Sequence, residues 1–200
     1  ALSLLPPRVA PWRFQRGKRI CDLNKIEKDT GDNETLQTDD TYINNDNYEV
    51  PLEVNSILEK LFNILGCNFS IVRWSASKGI GRIVERLPYS FASQAIEYTF
   101  SLFDEVDNYN LINGACSCLV AFTLRGSLLP SVLLRSMPLI FNALKYDVQF
   151  CSHTVSENIR DSGCFICWAL ARSYDGVTLE SCSKSISQNL VNVFLFDRSV

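Results

Sequence analysis

The stretch Phe69-Ser70-Ile71-Val72-Arg73-Trp74-Ser75-Ala76-Ser77-Lys78-Gly79-Ile80-Gly81-Arg82-Ile83-Val84-Glu85-Arg86-Leu87-Pro88 decides the fold. Its apolar residues fall at 72, 76, 80, 83, 84 and 87, the spacing of a helix with 3.6 residues per turn. Ala76, Gly79 and Gly81 lie on or beside this stripe, so a second helix can approach closely. The stripe is too wide for an isolated surface helix and needs partners on more than one side. This predicts the inner helix of one unit in a stack of helix pairs.

The same rhythm extends outward. Pro51 precedes Val54, Ile57, Leu58, Leu61, Phe62 and Leu65, an i, i+3, i+4, i+7 pattern with Gly66 as a stop. Helices are predicted over 89–103, 108–125, 130–145, 156–174 and 178–195. Pro138 sits inside one of them and predicts a kink or a lost hydrogen bond. Matching positions near Arg73, Gly114 and Arg160 give a period in the range of HEAT and armadillo repeats. The expected fold is all-α, an α-solenoid of HEAT/armadillo-like helix pairs. Its units are 51–87, 88–126, 130–174 and a truncated 178–200, with Phe196 starting the next inner helix. Each pair buries its apolar face only by stacking on its neighbours.

Before Pro51 the composition changes twice. Pro11–Leu23 reads as a helix, the remnant of a preceding repeat over 1–26. Trp12, Ile20 and Leu23 form its apolar side, and Arg13, Arg16, Lys18 and Arg19 its basic side. Residues 27–50 form an acidic segment without periodicity, read as a linker. The chain opens at Ala1 and ends at Val200 within a pattern, so it reads as an internal piece of a longer protein.

Composition narrows the function classes. The chain has 19 Lys and Arg against 22 Asp and Glu, a net charge of −3. That argues against a general nucleic-acid binder and a polybasic membrane patch. No apolar run approaches the length of a membrane span. The eight cysteines read as reduced, cytosolic thiols packed as small hydrophobes.

Few residues suggest chemistry. Cys164-Phe165-Ile166-Cys167 has the C-x-x-C spacing of redox and zinc sites, but it falls within a helix beside Ile166 and Trp168, both read as core-facing. No second C-x-x-C accompanies it, and His153 is the sole histidine, so packing is the preferred reading. Lys78-Gly79-Ile80-Gly81-Arg82 lacks the full phosphate-loop pattern and reads as close helix packing. His153 falls in a polar loop, with Ser156 as N-cap of the following helix. Arg73 and Arg160 hold the repeat's arginine position and are expected to bond to neighbouring repeats. No catalytic residue, cofactor or metal site is expected, and no partner-binding residue can be singled out.

The particular wording resembles one family, the tubulin-folding cofactors D, or tubulin-specific chaperones D. The resemblance rests on Val72–Arg82 with Arg86-Leu87-Pro88 and on Gly114-Ala115-Cys116 leading to Arg125–Pro130. It continues in Ala143–Asp147, in Asn158-Ile159-Arg160-Asp161 with Cys167–Arg172, and earlier in Pro7–Gly17. Ala76-Ser77-Lys78-Gly79 stands where the family usually has Ala-Ala-Lys-Gly, and a Trp-His pair is replaced near Leu111-Ile112-Asn113. The resemblance implies a cytosolic, microtubule-associated chaperone scaffold. It would bind β-tubulin and assist post-chaperonin assembly of the α/β heterodimer, without a catalytic site of its own. Implied partners are tubulin cofactors C and E and an Arf-like small GTPase, with GTP hydrolysis by tubulin stimulated in that complex. Two other readings stand beside it: a HEAT scaffold of the transport or phosphatase-subunit type, and a redox or zinc protein using Cys164 and Cys167.

Overall fold

A computed structural model describes residues 2–5, 12–15, 18–19, 49–105, 107–147 and 153–196, with backbone only at 15, 18, 19 and 153–155. Among these residues there are seven α-helices and one short hairpin. The hairpin pairs β1 (Phe14–Gln15) with β2 (Lys18–Arg19). The helices are α1 (Leu52–Ile64), α2 (Ser70–Val84), α3 (Tyr89–Ser101), α4 (Tyr109–Leu124), α5 (Pro130–Leu144), α6 (His153–Ser173) and α7 (Gly176–Phe196). A single 3-10 turn, Leu102–Asp104, follows α3.

Local chemistry sets these boundaries. Pro51 and Pro88 occupy the N-caps of α1 and α3, and Pro130 is the first residue of α5, where a missing N–H costs nothing. Asn108 caps α4 by accepting from the Leu111 amide at 3.1 Å, and Asp175 caps α7 from the Thr178 amide at 2.8 Å. α4 ends in a Schellman turn. Ser127 N donates to Phe122 O, Gly126 N donates to Thr123 O, and Gly126 takes φ of 69°. α5 runs through Pro138 unbroken. Pro138 and Leu134, one turn before it, are exposed, so the carbonyl left without its N–H faces water.

α2, α4 and α6 stack side by side as one layer, and the other helices pack on its outer side. The all-α solenoid expected from the sequence is the observed architecture. α2 carries two buried stripes, as its breadth required. Gly79 faces Leu61 of α1, whereas a Cβ on Gly81 would lie 2.8 Å from that of Ala121 in α4. On α4, a Cβ at Gly114 would approach the Leu65 carbonyl to 2.6 Å. α4 is the centre of the stack and is buried on nearly all sides, from Ile112 through Thr123.

Several readings are corrected. The helix expected over Pro11–Leu23 is absent at Phe14–Gln15 and Lys18–Arg19, which pair as strands; residues 16, 17 and 20–23 lie outside the described residues. Trp12 is buried, and its indole donates to Leu87 O at 3.0 Å, so the core takes this segment as an extended strap. α6 begins at His153, so Ser156 lies inside the helix and His153 is its first residue. Phe196 belongs to α7, and the Asp197 and Arg198 expected to continue a new inner helix from it lie outside the described residues. The acidic segment lies outside the described residues up to Asn47 and Tyr48.

Candidate partner surface on the inner helices

The two ends of the inner layer are closed differently. At the N-terminal ends, Arg73 is buried and donates to Asn113 Oδ1 at 3.0 Å, Asn110 Oδ1 at 3.1 Å, Cys67 O at 2.7 Å and Asn68 O at 3.1 Å. Asn113 passes the connection on, donating to Asn158 O and Ser162 Oγ of α6. Burial pushes the Arg73 guanidinium below its ordinary value. Asn113, beside the Gly114 of the repeat spacing, is therefore the residue that links Arg73 to the next inner helix. Arg160 donates to Tyr146 O, within its own helix pair.

At the C-terminal ends the strap adds to bonds made between the helix ends themselves. Arg13 and Arg125 both bond Glu85 Oε2, at 3.0 and 2.5 Å. Phe14 N donates to Gly126 O, and the Phe14 ring stacks on Tyr174 at 5.7 Å. Tyr174 in turn donates to Leu128 O. Burial lowers the Arg13 pKa; Glu85 opposes that shift and Arg125 reinforces it. The Arg13 Nε is buried without an acceptor among the described residues.

Between these ends the exposed face of the layer forms a groove of about 480 Å³. Its floor is α4, where Val120 and Ala121 are small enough to leave the space open. Trp74 and Lys78 of α2 stand on one side and Arg172 of α6 on the other, with the strap at the end. The Lys78 ammonium sits 4.7 Å from the Trp74 ring centre. Trp74 approaches Phe165 at 5.9 Å, Phe165 stacks on Trp168 at 5.1 Å, and Arg172 covers Trp168 at 5.4 Å. Trp168, read from sequence as core-facing, is 47% exposed, whereas Ile166 is fully buried. No carboxylate among the described residues forms an ion pair with Lys78 or Arg172.

Sequence reasoning missed this surface, although a signal was present. Trp74-x-x-x-Lys78 and Trp168-x-x-x-Arg172 repeat one spacing, an aromatic followed by a cation one turn later, on the two helices flanking α4. The C-x-x-C residues do not join it as a reactive site. Cys167 is buried and its thiol is pushed up to about 12, so it stays protonated at neutral pH. Cys116 in α4 is likewise pushed up to about 12 by burial. Among the described residues no cluster of His, Cys, Asp or Glu could hold a metal ion. Lys78–Arg82 lies in mid-helix with its glycines used for packing, as the sequence suggested.

Stacked helix pairs with an open inner layer define an armadillo-type repeat protein, whose working parts are surfaces. The whole chain, residues 1–200, matches the family described as tubulin-specific chaperone D-like, ARM repeats, and belongs to it. It is 35% identical over 136 residues to "Tubulin-specific chaperone D" of Dictyostelium discoideum, covering 66% of this chain and 9% of that protein. It is 27% identical over 168 residues to "Tubulin-folding cofactor D" of Schizosaccharomyces pombe, covering 77% of this chain and 15% of that protein. The chain thus spans a small part of the length of the curated relatives it matches. No solved structure matches it significantly.

Proposed function

We propose that this chain is a segment of a tubulin-folding chaperone scaffold that contacts β-tubulin through its inner layer. The observation that carries the reading is the family match over all 200 residues, together with the names of the two relatives. The geometry supports it with an exposed face holding three aromatic rings, the kind of anchor that dominates protein interfaces. The scaffold assists assembly of the α/β heterodimer after chaperonin release, in the cytoplasm and with the microtubule cytoskeleton. It has no catalytic residues of its own. Tubulin cofactors C and E and an Arf-like small GTPase are its companions, and stimulation of GTP hydrolysis belongs to that complex. Residues 27–50 serve as an acidic linker ahead of the repeats in 51–200.

The test is a pull-down with the full-length protein. β-Tubulin should be recovered, and Trp74→Ala with Trp168→Ala should reduce recovery without a change in melting temperature. Absence of β-tubulin from the full-length pull-down sinks the reading. GTP hydrolysis by tubulin, measured with and without cofactors C and E, tests the catalytic aside separately.

A further inference from the structure

The groove has a chemistry that names its occupant more narrowly than a folded partner. Four cations line it, Arg13, Lys78, Arg125 and Arg172, against the single carboxylate of Glu85. Glu85 is already shared by Arg13 and Arg125, so among the described residues Lys78 and Arg172 are the cations left to meet a ligand. Both are exposed, and each rests on a tryptophan. The Arg172 guanidinium lies over the Trp168 ring, and its N–H donors point outward along its planar edge. That edge is free to hold a carboxylate with two parallel bonds.

We propose that this groove binds an extended, acidic peptide segment of a partner protein. Its carboxylates meet Lys78 and Arg172, and an apolar side chain between them packs on Trp74, the ring of the row that lines the groove, with Phe165 and Trp168 beside it. A nucleic acid is the poorer fit. Its continuous phosphates need a row of cations running beyond the groove, and the chain as a whole carries a charge of −3. A short acidic segment needs only the local field. The proposal rests on the inner layer being a partner surface, and it does not require that the partner be tubulin.

The experiment uses the full-length protein and a fluorescent synthetic decapeptide of eight glutamates and two phenylalanines, read by anisotropy. Lys78→Glu with Arg172→Glu should weaken binding by about tenfold or more, the effect of reversing two exposed ion-pair partners. Trp168→Ala should weaken it less. Lys60→Glu with Lys184→Glu makes the same change of charge on exposed positions away from the groove and should leave affinity unchanged. Raising salt from 50 to 500 mM should weaken the wild type and flatten the difference between it and the groove variant, because the contacts are exposed. Equal loss in the two double variants, or none in either, overturns the proposal. So does an oligo-dT strand that binds the groove as tightly as the peptide. A wild type that fails to bind the peptide while β-tubulin is recovered sinks this inference alone; a wild type that binds the peptide but recovers no β-tubulin sinks only the tubulin reading.

Discussion

The two ends of the inner layer solve one problem by different means. Three helices lie side by side, and their ends must be kept in register. At the N-terminal ends the helices do this themselves: Arg73, Asn110, Asn113 and Ser162 all belong to α2, α4 or α6. At the C-terminal ends the bonds Glu85–Arg125 and Tyr174–Leu128 are reinforced by a segment far away in sequence. Trp12 reaches Leu87, Arg13 reaches Glu85, and Phe14 reaches Gly126. A join made from within repeats recurs with the repeat. A join imported from elsewhere depends on one segment, so it is concentrated in a few residues and open to single substitutions.

Removing the strap's anchor should give the largest effect. Trp12 is 2% exposed, and truncating a buried aromatic costs about 3–5 kcal/mol. Trp12→Ala should lower local opening free energies around Leu87 and Gly126, measured by hydrogen exchange in the full-length protein. Protection of Asn110 and Asn113 should be preserved. Loss at both ends together would show that the two joins are one cooperative unit, and the contrast would fail.

This asymmetry also explains what could be read from the sequence. The helices were legible because a 3.6-residue period survives in each one, and Arg73 was legible because it recurs as Arg160. The strap was not. Trp12, Ile20 and Leu23 share a face at helical spacing, but Trp12 is buried against Leu87 O, a tertiary contact that overrides local pattern. The repeat spacing points near Gly114, but the linking role of Asn113 beside it has no pattern value until its partners are known. Trp168 reads as core-facing beside Ile166, whereas its cation partner four residues on marks a wet face.

The next test strikes the opposite end. Arg73→Ala leaves Asn113 Oδ1 and two carbonyls without their donor, and hydrogen bonds to a charged group contribute about 1.5–3 kcal/mol. A loss of about 2–4 kcal/mol is expected around Asn110 and Asn113, smaller than that of Trp12→Ala because small side chains and water can fill in. Arg73→Lys keeps the charge but loses the fork, so it should recover only part of this. Full recovery would show that charge alone holds this end. Glu85→Gln comes next, at about 1–2 kcal/mol, because Arg13 and Arg125 are partly solvated. Its effect should shrink in high salt, whereas that of Trp12→Ala should persist. A salt-insensitive Glu85→Gln would make the strap a purely apolar device.

The smallest effect lies just past the strap, where Asp175 follows Tyr174 and caps α7. Its side chain accepts from Thr178, and these hydrogen bonds hold its carboxyl below the ordinary 3.8. A depressed carboxyl contributes stability that is fully present above its unfolded value and is lost as pH falls through the folded one. The window is therefore acid, from about pH 5 down past 3.8. Asp175→Asn keeps a capping oxygen and removes the charge, so near neutral pH it should change α7 little. Below pH 4 the wild type should approach the variant, as hydrogen exchange at the start of α7 would show. Tyr174, held by Phe14 and Leu128, should keep its protection throughout, because neither contact titrates in that range. If acid instead loosens Tyr174 together with Thr178, the strap and the cap of α7 form one unit, and the C-terminal join extends a helix further than its contacts indicate.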